Sequence, residues 1–149
     1  MRALPRRRGL KKIVFPVKFD RNQFIRAVKE HHPDVVIGTG QCFAGKRLRI
    51  ETRAVNERRD GRRDKPRRIS LRGARSLPTS LRPACGRQAR TSASAGRYVC
   101  NYSMYVILDF LKRHRPRARF GFIHIPHRYQ ARRAGRFLLK AMARLGDKG

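Results

Sequence analysis

The chain has 149 residues, a length suited to one domain, and its 39 Lys and Arg against 9 Asp and Glu give a formal net charge of +30. A hydrophobic content of 40% can fill one core. No apolar run approaches the ~18 residues of a membrane span, and no secretory apolar stretch follows the basic start MRALPRRRGLKK. Arginine supplies 30 of the cations and lysine 9, a balance that predicts non-specific attraction to polyanions at low salt and says nothing about fold. Cys42, Cys85 and Cys100 make an odd count without a secreted spacing, which suits a reducing cytosol and predicts a cytoplasmic protein.

In chain order, residues 1–11 read as a basic arm and residues 12–149 as a single α/β domain. Lys12–Phe19 (KIVFPVKF) reads as a strand, with Pro16 restricting it to an edge or a bulge. Asp20 is placed to cap a helix over Arg21–His32 that turns Phe24, Ile25 and Val28 inward, and Pro33 ends it. Val35–Ile37 is a short, wholly apolar strand of parallel-sheet type, and Gly38-Thr39-Gly40-Gln41 reads as the turn at its carboxyl end. Arg47–Val55 alternates apolar Leu48 and Ile50 with Arg47, Arg49 and Glu51, as a half-exposed strand does. Asn56–Arg68 is a basic loop. Thr79–Ala84 makes only a short or broken helix because of Pro83. Gly86–Ser94 returns to the sheet. Ala131–Leu145 has helical spacing at Phe137, Leu138 and Met142, with Gly146 as its stop.

The stretch from Ser92 to Pro126 carries the chemistry. Gly96 accommodates a tight turn, and Cys100–His114 repeats Tyr102, Val106, Ile107, Phe110 and Leu111 at helical spacing, with Lys112, Arg113 and His114 in its last turn. Cys100 then stands in the first turn, where free N–H groups and the positive end of the helix dipole favour thiolate; the alternative is a packed thiol acting as a small apolar residue. Ala118–Pro126 reads as a strand bearing His124, either a general base for Cys100 or a strand histidine satisfied by backbone groups. Strand, helix and strand here have the length of a parallel crossover, which would place both residues at carboxyl strand ends. His127 reads as a loop residue.

SAGRYVCNYSMY (94–105) and GFIHIP (121–126) resemble the cysteine and histidine motifs of the pyroglutamyl-peptidase I (pyrrolidone-carboxylate peptidase) family, AG-x-[YF]-[LV]-CN and GFIH[IV]P, at a suitable separation. The resemblance implies a mostly parallel, twisted sheet flanked by helices in three layers, with the first strand missing. It implies a cysteine peptidase that removes N-terminal pyroglutamyl residues through a thioester, with Cys100 as nucleophile and His124 as base, and it needs no metal or cofactor. Glu51-Thr-Arg-Ala-Val-Asn56 fits the family's E-x-x-A-x-N run, departing at Thr52 and Arg53, so Glu51 becomes the third catalytic residue; otherwise Glu51 is a surface carboxylate paired with an arginine. By the same resemblance Gln41, Val99 and Arg62 are substrate-binding, with Gly61 the ungapped alternative to Arg62. Peptides with N-terminal pyroglutamate are the implied partners, and a homo-oligomer the implied assembly. The family's opening strand and its TGFxPF-like turn find no counterpart in Met1–Lys11, an expectation of a truncated or divergent chain. The alternatives are a catalytically impaired member lacking that pocket turn and a basic nucleic-acid-binding protein.

Overall fold

The computed structural model describes residues 9–43, 45–80 and 86–146. The arm up to Arg8, most of the Thr79–Ala84 stretch, Cys85, the side chain of Leu145 and the chain beyond Gly146 lie outside the described residues. The elements are α1 (Arg21–His31), β1 (Val35–Cys42), β2 (Leu48–Glu51), β3 (Arg53–Val55), β4 (Ser76–Pro78), β5 (Ala89–Ser92), α2 (Val99–His114), β6 (Arg119–Pro126) and α3 (Ala131–Gly146).

The first helix forms where its cap allows it. Asp20 Oδ1 accepts from the N–H of Asn22 at 2.9 Å and of Gln23 at 3.4 Å, and His32 closes the helix in the left-handed region at φ 43°. The main sheet has the strand order β1-β6-β2-β5. β1 runs parallel to β6, β2 parallel to β5, and β2 antiparallel to β6, so two of the three pairings are parallel. Helices cover both faces. On one, α1 and α2 pack Phe24, Val28, Tyr105 and Val106 against Phe120 and Phe122. On the other, Ala134 and Leu138 of α3 pack against Leu48, Ile50, Ala89 and Ile123. This is the three-layer α/β arrangement expected. β3 and β4 form a separate antiparallel pair beside α2.

Four expectations are corrected. Lys12–Phe19 forms no strand. Pro16 has no N–H to give a ladder, its carbonyl instead accepts from Lys18 N at 2.9 Å, and Phe15 and Phe19 stack edge-on against Phe24 and Tyr102 while Val14 and Val17 stay exposed. Gly38–Gln41 is strand rather than turn. The glycines serve close approach: a Cβ at Gly38 would collide with the Phe122 ring, and one at Gly40 would lie 2.7 Å from Cys100 Sγ. Arg47–Val55 breaks into β2 and β3 at Thr52, whose N–H donates to Ser92 O at 2.7 Å and whose carbonyl accepts from Thr79 N at 2.9 Å. Nor is β2 half-exposed, since Leu48, Ile50 and Glu51 are all fully buried. Finally, β5, α2 and β6 are no parallel crossover. β5 and β6 run in opposite senses with β2 between them, and the parallel neighbour of β6 is β1.

Candidate active site

Alternation along β6 sends Ile123 toward α3 and His124 toward α2. His124 is 3% exposed. In the register its neighbours are Gly40 on β1 and Arg49 on β2. The lack of a side chain at Gly40 opens the space that Cys100 Sγ occupies. Cys100 reaches that space from the second residue of α2, and the next residue holds it there. Asn101 is buried; its Oδ1 accepts from Val55 N at 2.9 Å, and its Nδ2 donates to Val55 O at 2.9 Å and to Glu57 O at 2.8 Å. The first turn of α2 is thereby tied to β3. The first intrahelical bond runs from Tyr102 N to Tyr98 O, so the N–H groups of Val99, Cys100 and Asn101 precede it and point out of the helix start.

Glu51, at the end of β2, is fully buried. His124 Nδ1 donates to Glu51 Oε1 at 2.7 Å, and the thiol of Cys100 hydrogen-bonds the same imidazole, which leaves Nε2 for the sulfur. Burial pulls the His124 pKa down, but the hydrogen bonds and charges of Cys100 and Glu51 outweigh it and push the imidazole up to about 9. Arg49 Nε approaches Glu51 Oε1 at 3.5 Å, while Glu51 Oε2 is buried with no hydrogen-bond partner. Phe122 lies edge-on to the His124 ring at 5.1 Å. Cys42, two residues beyond Gly40, has its thiol pushed up by burial. A carboxylate, an imidazole and a thiol in series make an arrangement able to move a proton off sulfur and return it to a leaving group.

The structure therefore brings Cys100, His124 and Glu51 together. Val99 stands beside Cys100 at the start of α2, half-buried against the core. Gln41 is exposed, and its register partner is Ile125, so alternation turns it to the α3 face, away from Cys100. Arg62 is exposed in the loop pinned by the Arg58–Arg67 bridge, and Gly61 rests against Asp64; neither is brought to the three. His127 is an exposed turn residue 6.1 Å from the ring of Phe43. Sequence reasoning missed Asn101, Gly40 and Arg49 as parts of the site. Asn101 was legible as the polar residue following the cysteine on an otherwise apolar helix face; the other two depend on strand register. Among the described residues no group of three or more His, Cys, Asp and Glu has metal-binding geometry. Two surface hollows, of about 530 and 370 Å3, lie on α1 and beside α3 and include none of the three.

Comparison with known proteins matches residues 74–132 to the pyroglutamyl peptidase family. A pyrrolidone-carboxylate peptidase of Bacillus velezensis is 36% identical over 117 residues, covering 68% of this chain and 54% of that protein. One from Pectobacterium atrosepticum is 32% identical over 129 residues, covering 76% and 59%. The crystal structure of pyroglutamyl peptidase I from Bacillus amyloliquefaciens superposes with a TM-score of 0.66 at 27% identity, over 83% of this chain and 69% of that one. The pyrrolidone carboxyl peptidase of Pyrococcus furiosus shares the fold with a TM-score of 0.77 at 21% identity, over 89% and 79%. The chain spans a little over half the length of the curated relatives it matches. With motif, fold and pairwise similarity in agreement, the chain belongs to the pyroglutamyl peptidase family.

Proposed function

We propose that this chain is a cysteine peptidase that removes N-terminal pyroglutamyl residues from peptides. The observation that carries the reading is the hydrogen-bonded series from Cys100 through His124 to Glu51, at the carboxyl ends of β1 and β6. Cys100 gives its proton to His124 Nε2, and the thiolate attacks the carbonyl carbon that joins 5-oxoproline to the next residue. Glu51 holds the Nδ1–H and stabilises the imidazolium. The N–H groups at the start of α2 receive the developing oxyanion. His124 then delivers its proton to the departing amine as the C–N bond breaks, leaving a thioester on Cys100. Water, deprotonated by His124, hydrolyses that thioester and releases pyroglutamate. Val99 flanks the ring of the bound residue in this reading; Gln41 and Arg62 are left without a contact to it.

Release of a chromogenic amine from an N-terminal pyroglutamyl substrate tests the proposal, together with iodoacetamide labelling and peptide mapping. Turnover that disappears in Cys100→Ser, with Cys100 labelled ahead of Cys42 and Cys85, is the expected result. Preferential labelling without turnover would indicate an impaired member of the family. Equal, slow labelling of all three thiols would refute the nucleophile. The +30 charge favours a second, weaker property, sequence-indifferent binding of polyanions that fades as salt rises.

A further inference from the structure

We propose that Arg49 and Arg90 form an anion-binding subsite beside Cys100, so that the chain prefers pyroglutamyl peptides whose second residue is Asp or Glu; this rests on the peptidase reading above. The register carries the argument. Gly40 pairs with His124, His124 with Arg49, and Arg49 with Arg90. These four residues form one row across all four strands, and directly paired residues share a face of the sheet. Cys100 Sγ sits over the first position of that row. At a strand spacing of about 4.8 Å, Arg49 stands one step and Arg90 two steps beyond His124. That is within reach of the side chain of the residue following the scissile bond, given about 3.5 Å per residue of extended chain.

Two arginines placed directly across a strand pair repel each other. No carboxylate among the described residues relieves Arg90, which is exposed and enters no ion pair. The carboxylate near Arg49 is Glu51, already engaged by His124, and Arg49 Nε is buried without a hydrogen-bond partner. Burial pushes the Cys42 thiol up, and Arg49 and Arg90 both lie close enough to this residue at the far end of β1 to oppose that shift. Guanidinium forks match carboxylates in bidentate geometry. A neutral second residue leaves Arg90 uncompensated and Arg49 with only its share of Glu51, and a basic one adds a third cation.

The test compares the C-terminally amidated peptides pyroglutamyl-Glu, pyroglutamyl-Gln and pyroglutamyl-Lys, so that only the side chain differs. In the unaltered protein, kcat/KM for the Glu peptide should exceed that for the Gln peptide by about tenfold, with the Lys peptide lowest. Arg90→Gln should bring the Glu-to-Gln ratio of kcat/KM close to one. Arg133→Gln, an exposed residue of α3 on the opposite side of the sheet from Cys100, should leave the ratio unchanged. Titration calorimetry of the three peptides into Cys100→Ala should give the same order of affinity, and Arg90→Gln in that background should flatten it. An unchanged ratio in Arg90→Gln, an equal fall in Arg133→Gln, or no discrimination in the titration overturns the subsite. Absence of turnover with Arg90-dependent preference in the titration would remove the peptidase reading and keep the subsite. Turnover without that preference would do the reverse.

Discussion

The two faces of the main sheet are built from adjacent residues of the same strands and do opposite work. Toward α3, Leu48, Ile50 and Ile123 are each 0% exposed and share one apolar cluster with Ala89, Ala134 and Leu138. Toward α2, one residue further along, Glu51 and His124 are buried almost as completely, yet both are ionisable. Burial on the first face is favourable in itself, at roughly 25 cal/mol per Å². On the second it is tolerable because each charge has a partner: His124 with Glu51, and Glu51 also with Arg49. The α3 face anchors the sheet, so the α2 face can hold groups that stability alone would not select.

Paired substitutions separate these roles most sharply. Glu51→Gln keeps an oxygen for the Nδ1–H but removes the charge that stabilises the imidazolium. Turnover of the pyroglutamyl substrate should fall roughly 10²–10⁴-fold. Ile50→Ala, its neighbour on the opposite face, should cost about 2–5 kcal/mol in urea unfolding, with turnover per folded molecule retained. If Ile50→Ala lost activity without losing stability, the division between the faces would be wrong.

The pH dependence of stability probes the polar face. His124 is held at about 9 against an ordinary value of 6.5. A raised folded-state value means that its contribution is complete below 6.5 and is lost as pH rises through about 9. The upper bound on that contribution is about 3 kcal/mol. Urea midpoints from pH 6 to 10 should fall over this window, and more shallowly in Cys100→Ala, because Cys100 makes the larger of the two upward hydrogen-bond contributions. Titration of the His124 ring by NMR should show the same downward move; identical curves in both proteins would mean that Cys100 does not hold the imidazolium.

The smallest effect belongs to the glycines that admit this packing. Gly38→Ala sets a methyl group against the Phe122 ring and should cost about 1–3 kcal/mol in thermal or urea unfolding, by overpacking beneath the site. Ala at Thr39, the next position on the strand, serves as the control on the α3 side. A neutral Gly38→Ala would show that Phe122 can move aside and that close approach is not what the position requires.

Much of this was fixed by local sequence. Asp20 with Pro33 delimits α1, the apolar spacing after Gly96 gives α2 with Cys100 in its first turn, and FGFIHIP is a strand wherever it is placed, because caps, turns and periodicities act within a few residues. The placement of Cys100 near His124 was legible in the two motifs that carry the family resemblance. What the tertiary structure alone decided was pairing at long range. β2 inserts between β6 and β5, which turns the expected parallel crossover into strands of opposite sense. Packing against Phe122 and Cys100 makes Gly38 and Gly40 strand residues although their composition reads as a turn. Gln41, legible as a site residue by resemblance, falls out of phase because alternation has a period of two and its neighbour Gly40 takes the face of Cys100. The row of Gly40, His124, Arg49 and Arg90 exists in no stretch of sequence; it arises because hydrogen-bonded register aligns residues from four separate strands.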